Sequence, residues 1–469
     1  YGAFPLELRR AIALDFHHRL AERTGELVDV MVAEGHPRRL AEWEIDGMLH
    51  GTDPATIDWH CEELERNYEM RGRRIQLVRK PDGVVCMNPP QNAAGSCSTL
   101  GVLALLAGNA LVVKAPRSTP LSTMFLYQEI IAPLLREYGA PAGTTNVISG
   151  ETRRILRTWL NSPDVDDVVF FGDSGTGLRI GADCVAKGKK PVLELSGNDG
   201  FVVWHDADLD AAADALTQCF YGSSQICMVP KYAVVHPGVA DDFAELLLAR
   251  VEGIRPGYPD DPETLLSPVL KADRYFDFLA EAREEGCEVL IGGHRVDVHG
   301  EPDVAGLFCE PTVVRVDGMA DARRLACVRE ETFFPLLPLV VPEPAGDAEL
   351  LEKTIRFLNS NEYGLRNSVW AGDDAVLERF ARRLTNGGLL KLNDSHIGFV
   401  SVLATHGGTG RTGGPYGELN YVGLRTTHLQ GISWGLGVAD PFDSLVHAGA
   451  SGAAAWGATA TTPLASTAR

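Results

Sequence analysis

Between Gly101 and Gly200, short apolar runs alternate with helical stretches at a spacing that leaves few folds open. Residues 110–114, 145–149, 168–171 and 192–195 read as strands, while the segments near 99–107 and over 121–138 carry helical periodicity. Strands alternating with helices in this way predict a mostly parallel sheet covered on both faces, and such sheets bind ligands at the carboxyl ends of their strands. A second set begins with a strand at 201–204 and a helix over 208–220. It continues through 232–235, a helix over 239–251, 288–291 and 336–341. The predicted class is α/β, in two units that meet near 197–200.

The flanks read differently. Residues 7–65 are charged and rich in helix formers, with Ile12, Phe16 and Leu20 four residues apart, which predicts packed helices. Ile75, Leu77 and Val78, then Val84 and Val85, stand on either side of Pro81-Asp82-Gly83 and predict strands joined by a turn. Residues 436–469, rich in Ala, Gly, Thr and Ser, predict a mobile tail.

Composition removes several classes of function. A net charge of −20 over 469 residues, with no Lys/Arg-rich run, argues against a nucleic acid partner. No apolar run approaches the ~20 residues needed to span a bilayer, and the first ten residues lack a secretory profile, so the expected location is the cytoplasm. Nine cysteines without a Cys-x-x-Cys pair or zinc-like Cys/His spacing predict a reducing compartment and no metal site.

Two positions stand out chemically. Glu194 lies inside the apolar run Pro191-Val192-Leu193-Glu194-Leu195 at the end of a predicted central strand. It is either a strand carboxylate turned to solvent or a general base whose pKa is raised by burial. Cys227 ends the Gly/Ser break Gly222-Ser223-Ser224-Gln225-Ile226 between a helix and an apolar strand, and follows Glu194 by 33 residues. Alone it reads as a buried thiol, whereas a loop on a rigid scaffold can also present a nucleophile.

An ordered set of motifs over residues 5–435 resembles the aldehyde dehydrogenase superfamily. Glu194-Leu195-Ser196-Gly197-Asn198 is similar to Glu-Leu-Gly-Gly-Lys, and Asp206-Ala207-Asp208-Leu209-Asp210 follows it. Ser224-Gln225-Ile226-Cys227 is similar to Gly-Gln-x-Cys, and Glu330-Glu331-Thr332-Phe333-Phe334-Pro335 to Glu-Glu-Ile-Phe-Gly-Pro. Asn361-Glu362-Tyr363-Gly364-Leu365 and the glycine-rich segment from Gly407 to Gly413 match later family segments. Cys227-Met228-Val229-Pro230-Lys231-Tyr232 most resembles the class 3 branch, whose members oxidise fatty or aromatic aldehydes with NAD or NADP, commonly as dimers.

The resemblance implies a Rossmann-like cofactor domain (1–66 and 83–197), a second α/β catalytic domain (198–412), and oligomerisation strands (67–82 and 413–435) that build a homodimer or homotetramer. It also implies that Cys227 attacks an aldehyde to form a thiohemiacetal, that hydride passes to the nicotinamide, and that Glu194 activates the water that hydrolyses the thioester. Asn92, in Pro90-Gln91-Asn92-Ala93, takes the position of the oxyanion donor; its local sequence reads equally as a turn residue after two prolines.

For the cofactor, the strand at 168–171 runs into Gly172-Asp173-Ser174-Gly175-Thr176-Gly177 and a helix, the arrangement in which backbone N–H groups meet phosphate. Asp173 replaces a family Ser, which caps the helix but repels a pyrophosphate. Lys114 matches the lysine at the adenosine ribose. Arg117, where many relatives have Glu, favours the 2′-phosphate of NADP over NAD. Glu331 and Phe333 match the nicotinamide contacts. Gln91, Cys97, Ile226, Met228 and His406 fall where relatives line the substrate tunnel, and their types predict a roomier, more polar pocket. His396 and His406 read as loop or surface histidines with a possible substrate role. Two other readings stay open: an acylating or thioester-reducing enzyme, and a non-catalytic binding protein on the same fold.

Overall fold

Five parallel strands form the first sheet, in the spatial order Thr145–Ile148, Ala110–Lys114, Val84–Asn88, Asp167–Phe171, Lys190–Glu194. This is a computed structural model, and it describes residues 1–70 and 72–435; the predicted tail lies outside the described residues. Every residue of Asp167–Phe171 is buried, as a strand with helices on both faces requires. The chain leaves Val84–Asn88 in one direction for the next two strands and returns to its other side for Asp167–Phe171. The carboxyl ends of those two neighbours, at Asn88 and Phe171, therefore flank a topological switch point.

The second sheet has seven strands, in the order Glu288–Ile291, Thr312–Asp317, Leu336–Val341, Pro230–Val235, Asp199–Val203, Arg366–Trp370, Leu389–Leu392. All neighbours are parallel except the edge strand Glu288–Ile291. A third, antiparallel sheet places Arg73–Pro81 between Glu65–Met70 and Thr427–Gly435. Four helices, Leu6–Glu22, Thr24–Ala33, Arg38–Gly51 and Pro54–Leu64, pack through Ile12, Phe16, Leu27, Ile45 and Ile57 onto the first sheet's core. Asp53 caps the last of them, with Pro54 in the first turn where its missing N–H is harmless.

The expected turn at Pro81-Asp82-Gly83 joins two different sheets instead of closing a hairpin. Val84–Asn88 is almost wholly buried and belongs in the parallel sheet, while the charged, half-exposed Arg73–Pro81 suits a sheet open to solvent. Two boundaries also move: the helical region ends at Leu64, where Glu65 opens a strand, and residues 422–425 form a helical turn before the last strand.

Candidate active site

A cavity of about 760 Å³ lies against the carboxyl ends of the first sheet and is lined by both α/β units. Cys227, Glu194, Asn92, Lys114, Arg117, Gly172, Asp173, Ser174, Glu331, Phe333, Gln91, Cys97, Ile226, Met228 and His406 all line it. Gly177 does not. It faces Leu195, whose side chain a Cβ at this position would overlap, so this glycine lets the helix pack closely against the end of the strand Lys190–Glu194.

Glu194 ends an edge strand, yet its carboxylate is buried. Its oxygens accept from the Gly407 backbone N–H at 2.7 Å and from Asn420 Nδ2 at 2.9 Å. Burial outweighs these two donors and pushes its pKa up to about 8. Cys227 is half-buried on the cavity wall, and loss of solvent, with Glu331 and Asp199 nearby, raises its thiol to about 12; Lys231 and Arg366 pull the other way. At rest the nucleophile candidate is a protonated thiol.

The loop before it is held in an uncommon conformation. Gly222, Ser223 and Ser224 have φ of 59°, 56° and 57°, so Ser224, where the family motif has Gly, adopts the left-handed backbone that glycine tolerates most easily. Side chains stabilise this: Ser223 Oγ donates to the Ser267 carbonyl at 2.6 Å, Ser224 Oγ to the Cys219 carbonyl at 2.6 Å, and Asn92 Nδ2 to the Gln225 carbonyl at 2.9 Å.

On the other limb, Asp173 caps the helix Ser174–Ala186, accepting from the Thr176 N–H at 2.9 Å. Ser174 Oγ is buried beside it without a partner, and Lys114 is 4% exposed, its pKa lowered by burial and by Arg117. An unpaired hydroxyl, a helix N-terminus and a lysine on one wall fit a dinucleotide's phosphates. Glu331 accepts from the Gly197 N–H at 2.9 Å, and burial raises its pKa. Phe334, which replaces a family Gly, keeps an ordinary backbone and is edge-packed on Tyr275 and Phe278 at ring distances of 5.8 and 5.4 Å. Among the described residues no group of three or more His, Cys, Asp or Glu is placed to hold a metal ion.

The histidines separate. His406 lines the cavity, near Cys97 Sγ at 3.7 Å, and burial lowers its pKa to about 4. His396 is not at the surface: it is fully buried off the cavity, between Ser368 Oγ at 2.6 Å and Asp199 at 3.3 Å. Sequence reasoning missed much of the substrate-side wall. Trp43, Met48, His60, Phe399 and Tyr421 come from the helices Arg38–Gly51 and Pro54–Leu64 and from late loops with no local signature. This wall is more aromatic than expected, with Trp43 and Phe399 at 5.0 Å between ring centroids. That pair also borders a second cavity of about 250 Å³, and Gly47 lies under the Phe399 ring.

The geometry has counterparts among known proteins. Residues 1–427 match the profile of the Aldehyde dehydrogenase family. Benzaldehyde dehydrogenase YfmT of Bacillus subtilis is 30% identical over 76% of this chain and 71% of its own. Succinate-semialdehyde dehydrogenase [NADP(+)] GabD of Escherichia coli is 29% identical over 91% and 86%. The crystal structure of glyceraldehyde-3-phosphate dehydrogenase GapN from Methanocaldococcus jannaschii, complexed with NADP, superposes with a TM-score of 0.78 at 25% identity, covering 92% of this chain and 90% of that one. The chain belongs to the aldehyde dehydrogenase family.

Proposed function

We propose that this protein oxidises an uncharged aldehyde to the carboxylic acid with NAD or NADP, using Cys227 as nucleophile, Glu194 as general base and Asn92 as a donor to the carbonyl oxygen. The supporting observation is that the three share one cavity with a phosphate-compatible wall. The Cys227 sulfur adds to the carbonyl carbon while its proton leaves to Glu194 or water, and the Asn92 amide and the Cys227 backbone N–H meet the oxygen that gains charge. When bound, the dinucleotide supplies the hydride acceptor that leaves a thioester on Cys227. Glu194 then takes a proton from water as the water oxygen attacks the thioester carbon; the acid departs and the thiol is restored.

Lys114, Arg117, Gly172 and Ser174 would hold the phosphate and ribose portions, with Glu331 and Phe333 at the nicotinamide end. Arg117 is exposed at the cavity rim beside Lys114, with no carboxylate partner among the described residues, which favours NADP. On this reading residues 1–66 and 83–197 form the cofactor domain and 198–412 the catalytic domain.

The substrate side supports an uncharged body. Trp43, Met48, Leu100, Leu103 and Phe399 line it, and among the described residues the stretches 43–103 and 399–406 bring no Lys or Arg to the wall. The exposed Met70, Leu429 and Trp434 on the three-stranded sheet support self-association, as a homodimer or homotetramer. No helix among the described residues is long and apolar enough to cross a membrane, and all nine cysteines are free, which supports a reducing, cytoplasmic setting.

The test is reduced-cofactor formation across an aldehyde panel with NAD and NADP in parallel, for the intact chain and Cys227→Ala. Turnover only with added coenzyme A would favour the acylating alternative. Retained turnover in the alanine variant rejects the nucleophile.

A further inference from the structure

Lys231 is completely buried four residues after Cys227, in the apolar strand Pro230–Val235. Its position is irregular. Pro230 pairs with Asp199 and Tyr232 with Gly200, so Lys231 is the extra residue of a bulge, a device that re-aims a side chain. Its ammonium donates to the Ser224 carbonyl at 2.7 Å and to the Thr332 carbonyl at 2.9 Å, and lies 5.5 Å from the centre of the Phe333 ring.

Those two carbonyls belong to different loops. Ser224 is the last of the three left-handed residues leading to Cys227, and Thr332 follows Glu331. One side chain therefore fastens the nucleophile loop to the loop that carries Glu331 and Phe333. No carboxylate among the described residues lies within ion-pair distance of Lys231; burial lowers its pKa, while Glu331 and Asp199 at longer range oppose that and favour the ammonium. A buried cation held only by carbonyls, with no carboxylate at contact distance, opposes folding, so a purely structural role for it is expensive. An anion at Cys227 would be favoured by it. The other charged groups acting on the Cys227 thiol are Glu331, Asp199 and Arg366, and the guanidinium of Arg366 is bonded to the carbonyls of His396 and Thr405 at 2.7 and 2.6 Å.

We infer that Lys231 is a positioning residue for Cys227, tying the nucleophile loop to the Glu331–Phe333 loop and supplying the fixed positive charge beside which the thiolate forms. This rests on Cys227 being the nucleophile. Two variants separate the parts of the inference: Lys231→Gln keeps N–H donors for the two carbonyls but no charge, and Lys231→Met keeps neither.

Alkylation of Cys227, followed on its own peptide by mass spectrometry, gives the electrostatic readout. The ratio of the iodoacetate rate to the iodoacetamide rate cancels changes in access, because the two reagents differ mainly in charge. Both variants should lower that ratio and slow iodoacetamide alkylation at pH 9 about tenfold or more, since loss of a nearby cation disfavours the thiolate. Lys231→Gln should keep the melting temperature and the cofactor KM closer to wild type than Lys231→Met. If Lys231→Met does not fold, Lys231→Gln alone decides the charge role. An unchanged ratio and rate in Lys231→Gln overturns the inference even if turnover falls. Cys227→Ala, run alongside, shows whether such a failure belongs to Lys231 or to the assignment of the nucleophile.

Discussion

Asn92 Nδ2 donates to the carbonyl oxygen of Gln225 at 2.9 Å, two residues before Cys227. One amide hydrogen thus fixes the nucleophile loop, and the second is the one available to a substrate oxygen. Asn92→Ala should lower kcat by ~100–1,000-fold, the usual effect of losing one oxyanion donor. Single-turnover kinetics should place the loss in formation of the Cys227 adduct. A defect confined to KM would reject the assignment.

Glu194 titrates near 8 because it is buried, and a carboxylate is a base only when ionised. Below that value the competent fraction grows tenfold per pH unit, so the hydrolytic step should accelerate as pH rises through about 8 and then level off. Glu194→Gln should flatten this limb and cut steady-state turnover by ~100–10,000-fold while leaving one rapid equivalent of reduced cofactor. A pH profile identical to wild type would assign the limb elsewhere.

Asp173 holds its helix by accepting the Thr176 N–H, a task that serine performs as well. Asp173→Ser should keep the melting temperature within a few degrees and lower the cofactor KM, because it removes a negative charge from the wall that carries Ser174 and Lys114. Arg117→Glu should reverse any preference for NADP. An unaltered NADP/NAD ratio of kcat/KM would show that Arg117 does not meet the 2′-phosphate.

The cavity's Lys and Arg side chains among the described residues, Lys114, Arg117, Lys271, Arg274 and Arg411, all come from outside the stretches 43–103 and 399–406, so a carboxylate-bearing aldehyde seated against those stretches meets no Lys or Arg there. Burying such a carboxylate unpaired costs about 3–5 kcal/mol. Benzaldehyde should therefore exceed succinate semialdehyde by about 100-fold or more in kcat/KM, measured with the same cofactor. Equal values would mean that an anionic substrate finds a partner in the occupied enzyme.

Much of the fold is legible in the chain because buried parallel strands are short, apolar and sharply bounded. Residues 110–114, 288–291 and 336–341 form strands with the expected limits. Arg366–Trp370 escaped notice because it opens with Arg-Asn-Ser, polar residues whose burial becomes tolerable only through distant partners such as the His396 and Thr405 carbonyls and Asn386. Most site residues carried by motifs line one cavity, and several of them, such as Lys114, Glu194 and Asp173, sit at a strand end or helix start that sequence can locate. Lys231 did leave a signal, a lysine amid Met228-Val229-Pro230 and Tyr232-Ala233-Val234, but only the bulge explains why it is there. The aromatic wall left none, since Trp43, His60 and Phe399 meet only after distant segments pack.

The tilted rings of Trp43 and Phe399 line both the larger and the smaller cavity, a wall shared by the two. Phe399→Ala removes one ring of that wall and leaves in place the strand end that carries Glu194 and the loop that carries Cys227, so the expected outcome is a gain in kcat/KM for longer aldehydes with the pH profile of turnover unchanged. On that outcome the seat of the aldehyde would vary independently of the groups that react with it.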